Sequence, residues 1–157
     1  MGSVGRVGDA VPQLHDAQCK MEILRRLRAL QPDSERRWGK MSVSQMLWHV
    51  NEAMESALGR IQAEPMKVPL PRPLLKFLVL NAPWGKGAPT LKRWVPQHDR
   101  HDFTSERDRC CRLVDELASK PLADAWPDSP TLGKMSGKDV SRLQAKHLNH
   151  HLTQFGV

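Results

Sequence analysis

His147 and His151 stand four residues apart in the run His-Leu-Asn-His-His-Leu-Thr-Gln-Phe near the end of the 157-residue sequence. Residues at that spacing share one face of a helix, so the two imidazoles would project one above the other. A third, His49, lies about a hundred residues earlier in another helical stretch. Two ring nitrogens from one helix and one from a facing helix suit a divalent transition metal and leave coordination positions open. An open position polarises an oxygen, or binds a water or a thiol in its deprotonated form. The bland alternative is a set of hydrogen-bonded or half-exposed histidines, because a His-x-x-x-His pair is common and nothing local brings His49 to it. His150 is expected to point away, at the surface or at the edge of the site. His98 and His101 are weaker ligand candidates from a loop. Glu52, three residues past His49, is a surface charge unless it orients a ligand from a pocket edge.

Other chemistries find little support. There is no Ser-His-Asp arrangement and no paired-carboxylate signature. Cys19, Cys110 and Cys111 are odd in number, and adjacent cysteines rarely bridge, so no disulfide framework is expected and a reducing cytoplasm is the simplest home. Cys110 reads as a small buried hydrophobe rather than a nucleophile.

The elements that must position the histidines are helical. A first helix is expected from about Pro12 to Leu30, on the stripe Leu14, Ala17, Met21, Leu24, Leu27 and Leu30, stopped by Gln31-Pro32-Asp33. A second starts after Ser42, whose spacing to Gln45 is that of a capping box, with Met41 and Met46 as a hydrophobic staple. Its stripe is Met46, Val50, Ala53, Ala57 and Ile61, and Gly59 sits near its end. Residues 61–102 form a long link broken by prolines, with a short helix from about Pro73 to Leu80. A link of this length in a compact domain is often a lid or pocket wall, and Trp84 and Trp94 fit either that role or that of plugs onto the bundle. A third long helix spans about Phe103 to Ser119, with Cys110, Leu113, Val114 and Leu117 inward. Residues 121–130 form a turn segment.

The fourth long helix repeats the entry of the second. Leu132-Gly-Lys-Met-Ser136 echoes Trp38-Gly-Lys-Met-Ser42, and Ser136 with Asp139 has capping-box spacing. Four amphipathic helices and one long connection make an all-α four-helix bundle. His49 lies about 10 Å along its helix from Ser42 and His147 about 16 Å from Ser136. Parallel helices starting level would therefore bring them within about one turn of each other.

Length and composition agree with one domain, residues 12–156, behind a flexible N-terminus, 1–11. Hydrophobic residues are 39%, tyrosine is absent and helix formers dominate. No secretory signal is evident at the start, and the longest greasy stretch, Leu74 to Leu80, is too short to span a bilayer. The net charge of +7 is concentrated in residues 61–100, which hold seven basic and two acidic groups. The basic side chains are dispersed and accompany no nucleic-acid-reading motif, so a solvated basic loop is expected rather than a nucleic-acid or membrane surface.

The block Trp38-Gly-Lys-Met-Ser-Val-Ser-Gln-Met-Leu-Trp-His49-Val, then Leu58-Gly59, Gly87-Ala-Pro-Thr90 and the ending His147 to Gly156, resembles a bacterial domain family of unknown function within the DinB/YfiT-like metalloprotein superfamily. The resemblance covers roughly residues 12 to 156. It implies an up-down-down-up four-helix bundle with its long connection between helices two and three. It also implies a three-histidine centre for nickel, zinc or a similar ion such as manganese or iron, with ligands at the positions of His49, His147 and His151. Relatives include transferases and isomerases that use low-molecular-weight thiols such as bacillithiol or mycothiol, while others have no established activity. Related bundles often form dimers, so a homodimer is an expectation. Two functions stay open. One is a metal-dependent thiol transferase or hydrolase acting on a small electrophile. The other is a non-catalytic helical protein, stress-related or metal-binding.

Overall fold

The structure, a computed structural model, describes residues 11–87, 90 and 92–157. The first ten residues and part of the Gly87–Thr90 motif lie outside the described residues. Among the described residues five helices occur in the order α1 (Ala17–Ala29), α2 (Val43–Ala57), α3 (Arg72–Asn81), α4 (Phe103–Ser119) and α5 (Gly137–Gln154), with a 3-10 turn at Lys92–Trp94. No strand occurs among the described residues, only an isolated antiparallel bridge between Ser129 and Gly133.

Helices α1, α2, α4 and α5 form the bundle, and cross-helix contacts give their directions. Lys20, early in α1, pairs with Asp115, late in α4. Arg109 of α4 reaches Glu52 and Glu55 of α2, and Arg60, just past α2, pairs with Glu116. Arg26, late in α1, bonds Asn149 and Thr153, late in α5. The Gln154 amide at the end of α5 donates to the Trp38 carbonyl, which precedes α2. The bundle is therefore up-down-down-up, and α2 runs antiparallel to α5. The parallel, level-starting geometry weighed from the shared entry motif does not occur, and the up-down-down-up order implied by the family resemblance does. His49 meets the pair because it lies in the first half of α2 while His147 and His151 lie in the second half of the antiparallel α5.

Local chemistry explains the boundaries. The Ser42 hydroxyl accepts from the Gln45 backbone N–H at 3.2 Å while the Gln45 side chain accepts from the Ser42 backbone N–H at 2.9 Å. Ser136 and Asp139 make the same reciprocal pair at 3.1 Å each. Helices α2 and α5 end alike. Gly59 and Gly156 adopt φ of +80° and +78°, and the residue after each closes a bond to the carbonyl five positions back. This left-handed stop favours glycine. Helix α1 begins later than its stripe suggests, because Asp16 caps it by accepting from the Cys19 N–H at 2.8 Å. Residues 12–16 instead lie across the bundle. The His15 ring donates to the Lys120 carbonyl at 2.7 Å and contacts the Ser141 hydroxyl at 2.9 Å. Leu14 is buried from this strap, whereas Met21 is 63% exposed and Ile23 takes its inward place.

The core is one cluster that includes Leu27, Leu47, Val50, Met54, Cys110, Val114, Leu148 and Leu152. Truncating one such leucine to alanine typically costs about 2–5 kcal/mol. Cys110 is fully buried and its thiol is pushed well up by desolvation, as a packing residue requires. The expected short helix is α3, which lies along α5. Lys76 pairs with Asp139 at 3.1 Å, and the Lys146 ammonium donates to the Val79 and Ala82 carbonyls at the end of α3. No described helix is long and apolar enough to cross a membrane.

Candidate metal centre

The three histidine rings form an equilateral triangle, with each pair of centroids 4.9 Å apart. Each residue offers a ring nitrogen, and the three nitrogens lie within 4.8 Å of one another. Nε2 of His49 and Nε2 of His147 are 3.0 Å apart. Two ligands about 2.1 Å from one ion, at tetrahedral to octahedral angles, would be separated by about 3.0–3.4 Å.

The surroundings select which nitrogens are bare. Nδ1 of His49 lies 2.9 Å from the Trp94 carbonyl, which only accepts, so Nδ1 carries the proton and Nε2 keeps its lone pair. For His151 the logic runs through Gln154. Its amide nitrogen must donate to the Trp38 carbonyl at 2.9 Å, which turns its oxygen toward His151 Nδ1 at 2.7 Å. That oxygen accepts from Nδ1–H and leaves Nε2 bare. A ring N–H anchored on an oxygen, with the opposite nitrogen free, is how metal-binding histidines are usually held.

Electrostatics agree. Desolvation lowers His49, and it pushes His147 well below the ordinary histidine range with help from His151 and His49. Burial takes His151 down to about 3. At neutral pH the three rings are uncharged, which ligation requires. The donor set thus fits a divalent ion: three neutral nitrogens, two with fixed tautomers, close enough together to hold one.

The triangle faces a cavity of about 920 Å³. His147 is partly exposed and lines it, while His49 and His151 are buried. Trp38, Trp84 and Trp94 contribute walls, so the link tryptophans act as pocket walls. The Trp84 indole lies 6.0 Å from the His147 ring and 5.6 Å from His150. His150 sits at the edge of the site, 5.1 Å from the His151 ring, half-buried rather than turned to solvent.

Other candidates lie elsewhere. His98 and His101 stack on each other at 4.7 Å, and His101 stacks on Trp48 at 5.1 Å, outside the triangle. Glu52 is committed to Arg109 at 3.1 Å on the α2–α4 seam and orients no ligand. None of the three cysteines lines the cavity. Sequence reasoning missed Gln154, although its spacing of three from His151 was visible. It also missed the Trp94 carbonyl, a backbone group that leaves no mark on residue type.

No curated protein and no solved structure matches the chain. A family model described as the DinB superfamily matches residues 13–155, a span that takes in all five helices and the three converging histidines, and the chain belongs to that superfamily.

Proposed function

We propose that His49, His147 and His151 ligate a divalent transition metal, nickel or zinc in the first instance, and that the protein uses it to promote attack of a low-molecular-weight thiol on a small electrophile. The observation that carries this reading is the convergence of three neutral imidazoles on an open cavity rather than on a packed leucine layer. When bound, such an ion supplies Lewis acidity that favours the thiolate form of a thiol at neutral pH. The chain's own residues do the rest. Trp94 and Gln154 fix the orientation of His49 and His151. Lys67 and Lys86 are exposed at the cavity, where they attract a thiol bearing carboxylates. Lys86 lies 5.2 Å from the centroid of the Trp38 ring, a cation–π contact that parks one such charge beside the opening. Three cysteines without disulfides fit a reducing compartment such as the cytoplasm.

The test is metal analysis of protein purified without a histidine tag, followed by turnover assays. Wild-type protein is expected to hold about one equivalent of metal. Alanine at any one of His49, His147 or His151 should remove most of it while the helical circular dichroism persists. Zinc-, nickel- and manganese-loaded forms are then assayed with a panel of thiols and electrophiles beside the apo form. Unchanged metal content in all three variants refutes the ligand assignment. Metal binding without histidine-dependent turnover leaves a metal-binding protein that is not a thiol transferase.

A further inference from the structure

Helix α3 is apolar on two sides, and its charges do not face water. Leu75 and Val79 pack against the core, and Leu80 is buried. Its two charged side chains are engaged by neighbouring segments of the fold. Lys76 bonds Asp139 and the Lys134 carbonyl, and Arg72 reaches the Met66 and Pro130 carbonyls. Leu74, Phe77 and Leu78, three and four residues apart, then share the outward face. Phe77 is 63% exposed, and Leu74, Leu78 and Leu70 just before the helix are each at least 40% exposed. A helix that is apolar all round is normally covered all round. Single exposed leucines are ordinary, but a contiguous row of them marks an interaction surface.

The charges around this row indicate what covers it. Leu70 and Leu78 also line the cavity, so the row reaches its mouth. The lysines and acidic residues that line the cavity are Lys40, Lys67, Lys86 and Asp128, all exposed. Lys92 and Arg93, exposed as well, stand next to Trp94, another lining residue. Residues 61–100 as a whole hold seven basic and two acidic groups. Those charges taken alone fit a solvated loop; the apolar row standing among them does not. A second copy is a poor cover, because a twofold contact would set two basic rims against each other. The row is also small for a protein partner. Partly exposed side chains of this kind offer on the order of 100 Å² each, against roughly 800 Å² per partner in a stable interface. A short apolar ridge flanked by cations instead suits a lipid surface, where shallow insertion and attraction to anionic head groups act together.

We propose that the outward face of α3 and the basic rim beside it dock reversibly on an anionic lipid surface. The contact is peripheral, since no described helix is long and apolar enough to cross a membrane. It stands apart from the metal reading, because none of these residues is a ligand candidate.

The test is co-sedimentation of the full chain with extruded vesicles, one set of phosphatidylcholine alone and one with about 30 mol% phosphatidylglycerol. Wild-type protein is expected to bind the anionic set at least about tenfold more tightly than the neutral one, and to weaken as salt rises from about 0.15 to about 0.5 M. Leu74→Ser/Phe77→Ser changes no charge and should weaken binding to the anionic set by about tenfold or more. Lys67→Gln/Lys86→Gln should cost about fivefold per charge. Met21→Ser, at a residue equally exposed on α1, should bind as wild type does. No binding to the anionic vesicles overturns the proposal. Equal binding by wild type and Leu74→Ser/Phe77→Ser means adsorption of a basic protein by charge alone, and overturns it too. So does an equal loss in Met21→Ser. Unchanged affinity in Lys67→Gln/Lys86→Gln overturns the assigned basic rim. A wild type that sediments as a dimer, with the serine variant monomeric and neither bound to vesicles, gives the row to a second copy instead. If the double serine variant loses its helical circular dichroism, Phe77→Ser alone makes the comparison: about a fivefold loss upholds the proposal and no loss overturns it.

Discussion

Gln154 bonds in two directions with one amide, toward His151 and toward the backbone at Trp38, and this makes it the most informative single residue outside the triangle. Gln154→Leu keeps much of the volume but removes the acceptor that holds His151 Nδ1–H. The ring is then free to rotate or to change tautomer, and loss of such a supporting contact typically costs 10–100-fold in metal affinity, on the order of 1.4–3 kcal/mol. Titration with a competing chelator should show that loss, with the helical signal retained. Equal zinc affinity in wild type and variant would mean that His151 is oriented by packing alone. Gly39 bears on the same contact. Its φ is +83°, and a Cβ built there would stand 2.5 Å from the Gln154 amide nitrogen. A side chain at that turn would both strain the backbone and dislodge the amide. The three ligand candidates themselves were legible as residue types at helical spacing, but the groups that choose their tautomers were not. One is a carbonyl, which every residue has, and the other is a glutamine on a helix already rich in polar side chains.

At the scale of elements, legibility followed the strength of local signals. The boundaries of α4 and the capped starts of α2 and α5 could be read because periodicity and caps act within a few residues. The start of α1 could not, since Leu14 continues the apolar stripe and only the clasp of His15 between Ser141 and Lys120 reveals that its segment crosses the bundle. The relative direction of α2 and α5 could not be read from their matching entry motifs, which specify how a helix begins and carry nothing about which way its neighbour runs. The cavity was least legible of all, because it exists only where α3 and its flanking link stand against α5. That placement depends on Lys146, whose ammonium bonds the last carbonyls of α3 and lies 5.3 Å from the centroid of the Trp84 ring. Cations at a helix C-terminus satisfy orphan carbonyls and oppose the helix dipole. Lys146→Met retains the stem and removes the charge. Amide exchange across α3 should speed up by about tenfold or more, in line with a lost charged hydrogen bond of roughly 1.5–3 kcal/mol, while α1, α2 and α4 keep their protection. Uniform acceleration across all helices would instead make Lys146 part of the global core, and no change would deny it any role in holding the wall.

For the whole molecule, the cost of keeping imidazoles uncharged inside the bundle appears as a dependence of stability on pH. His49, His147, His150 and His151 all have folded-state values displaced below the ordinary range, chiefly by desolvation, and that of His151 falls to about 3. In the unfolded chain each returns to about 6.5. Between those limits the unfolded state binds more protons than the folded state, so stability rises with pH across the window. The contribution is complete above about pH 6.5 and is lost progressively as the pH falls toward the folded values. Each histidine protonated only on unfolding contributes a slope of about 1.4 kcal/mol per pH unit. Urea unfolding of metal-free protein between pH 7.5 and about 5, above the range in which most carboxylates titrate, should therefore show a midpoint that drops steeply below pH 6.5. A bound ion adds to folded-state stability by mass action, about 2.7 kcal/mol at a hundred times its dissociation constant. Saturating zinc at pH 7 should accordingly raise the midpoint, and acidification should erase the gain as protons compete for the same nitrogens. A flat midpoint across this range would show that the imidazoles are charged or solvated in the folded protein, which the packed triangle does not allow. A steep drop that zinc cannot reverse at pH 7 would leave three buried, neutral histidines that take no metal.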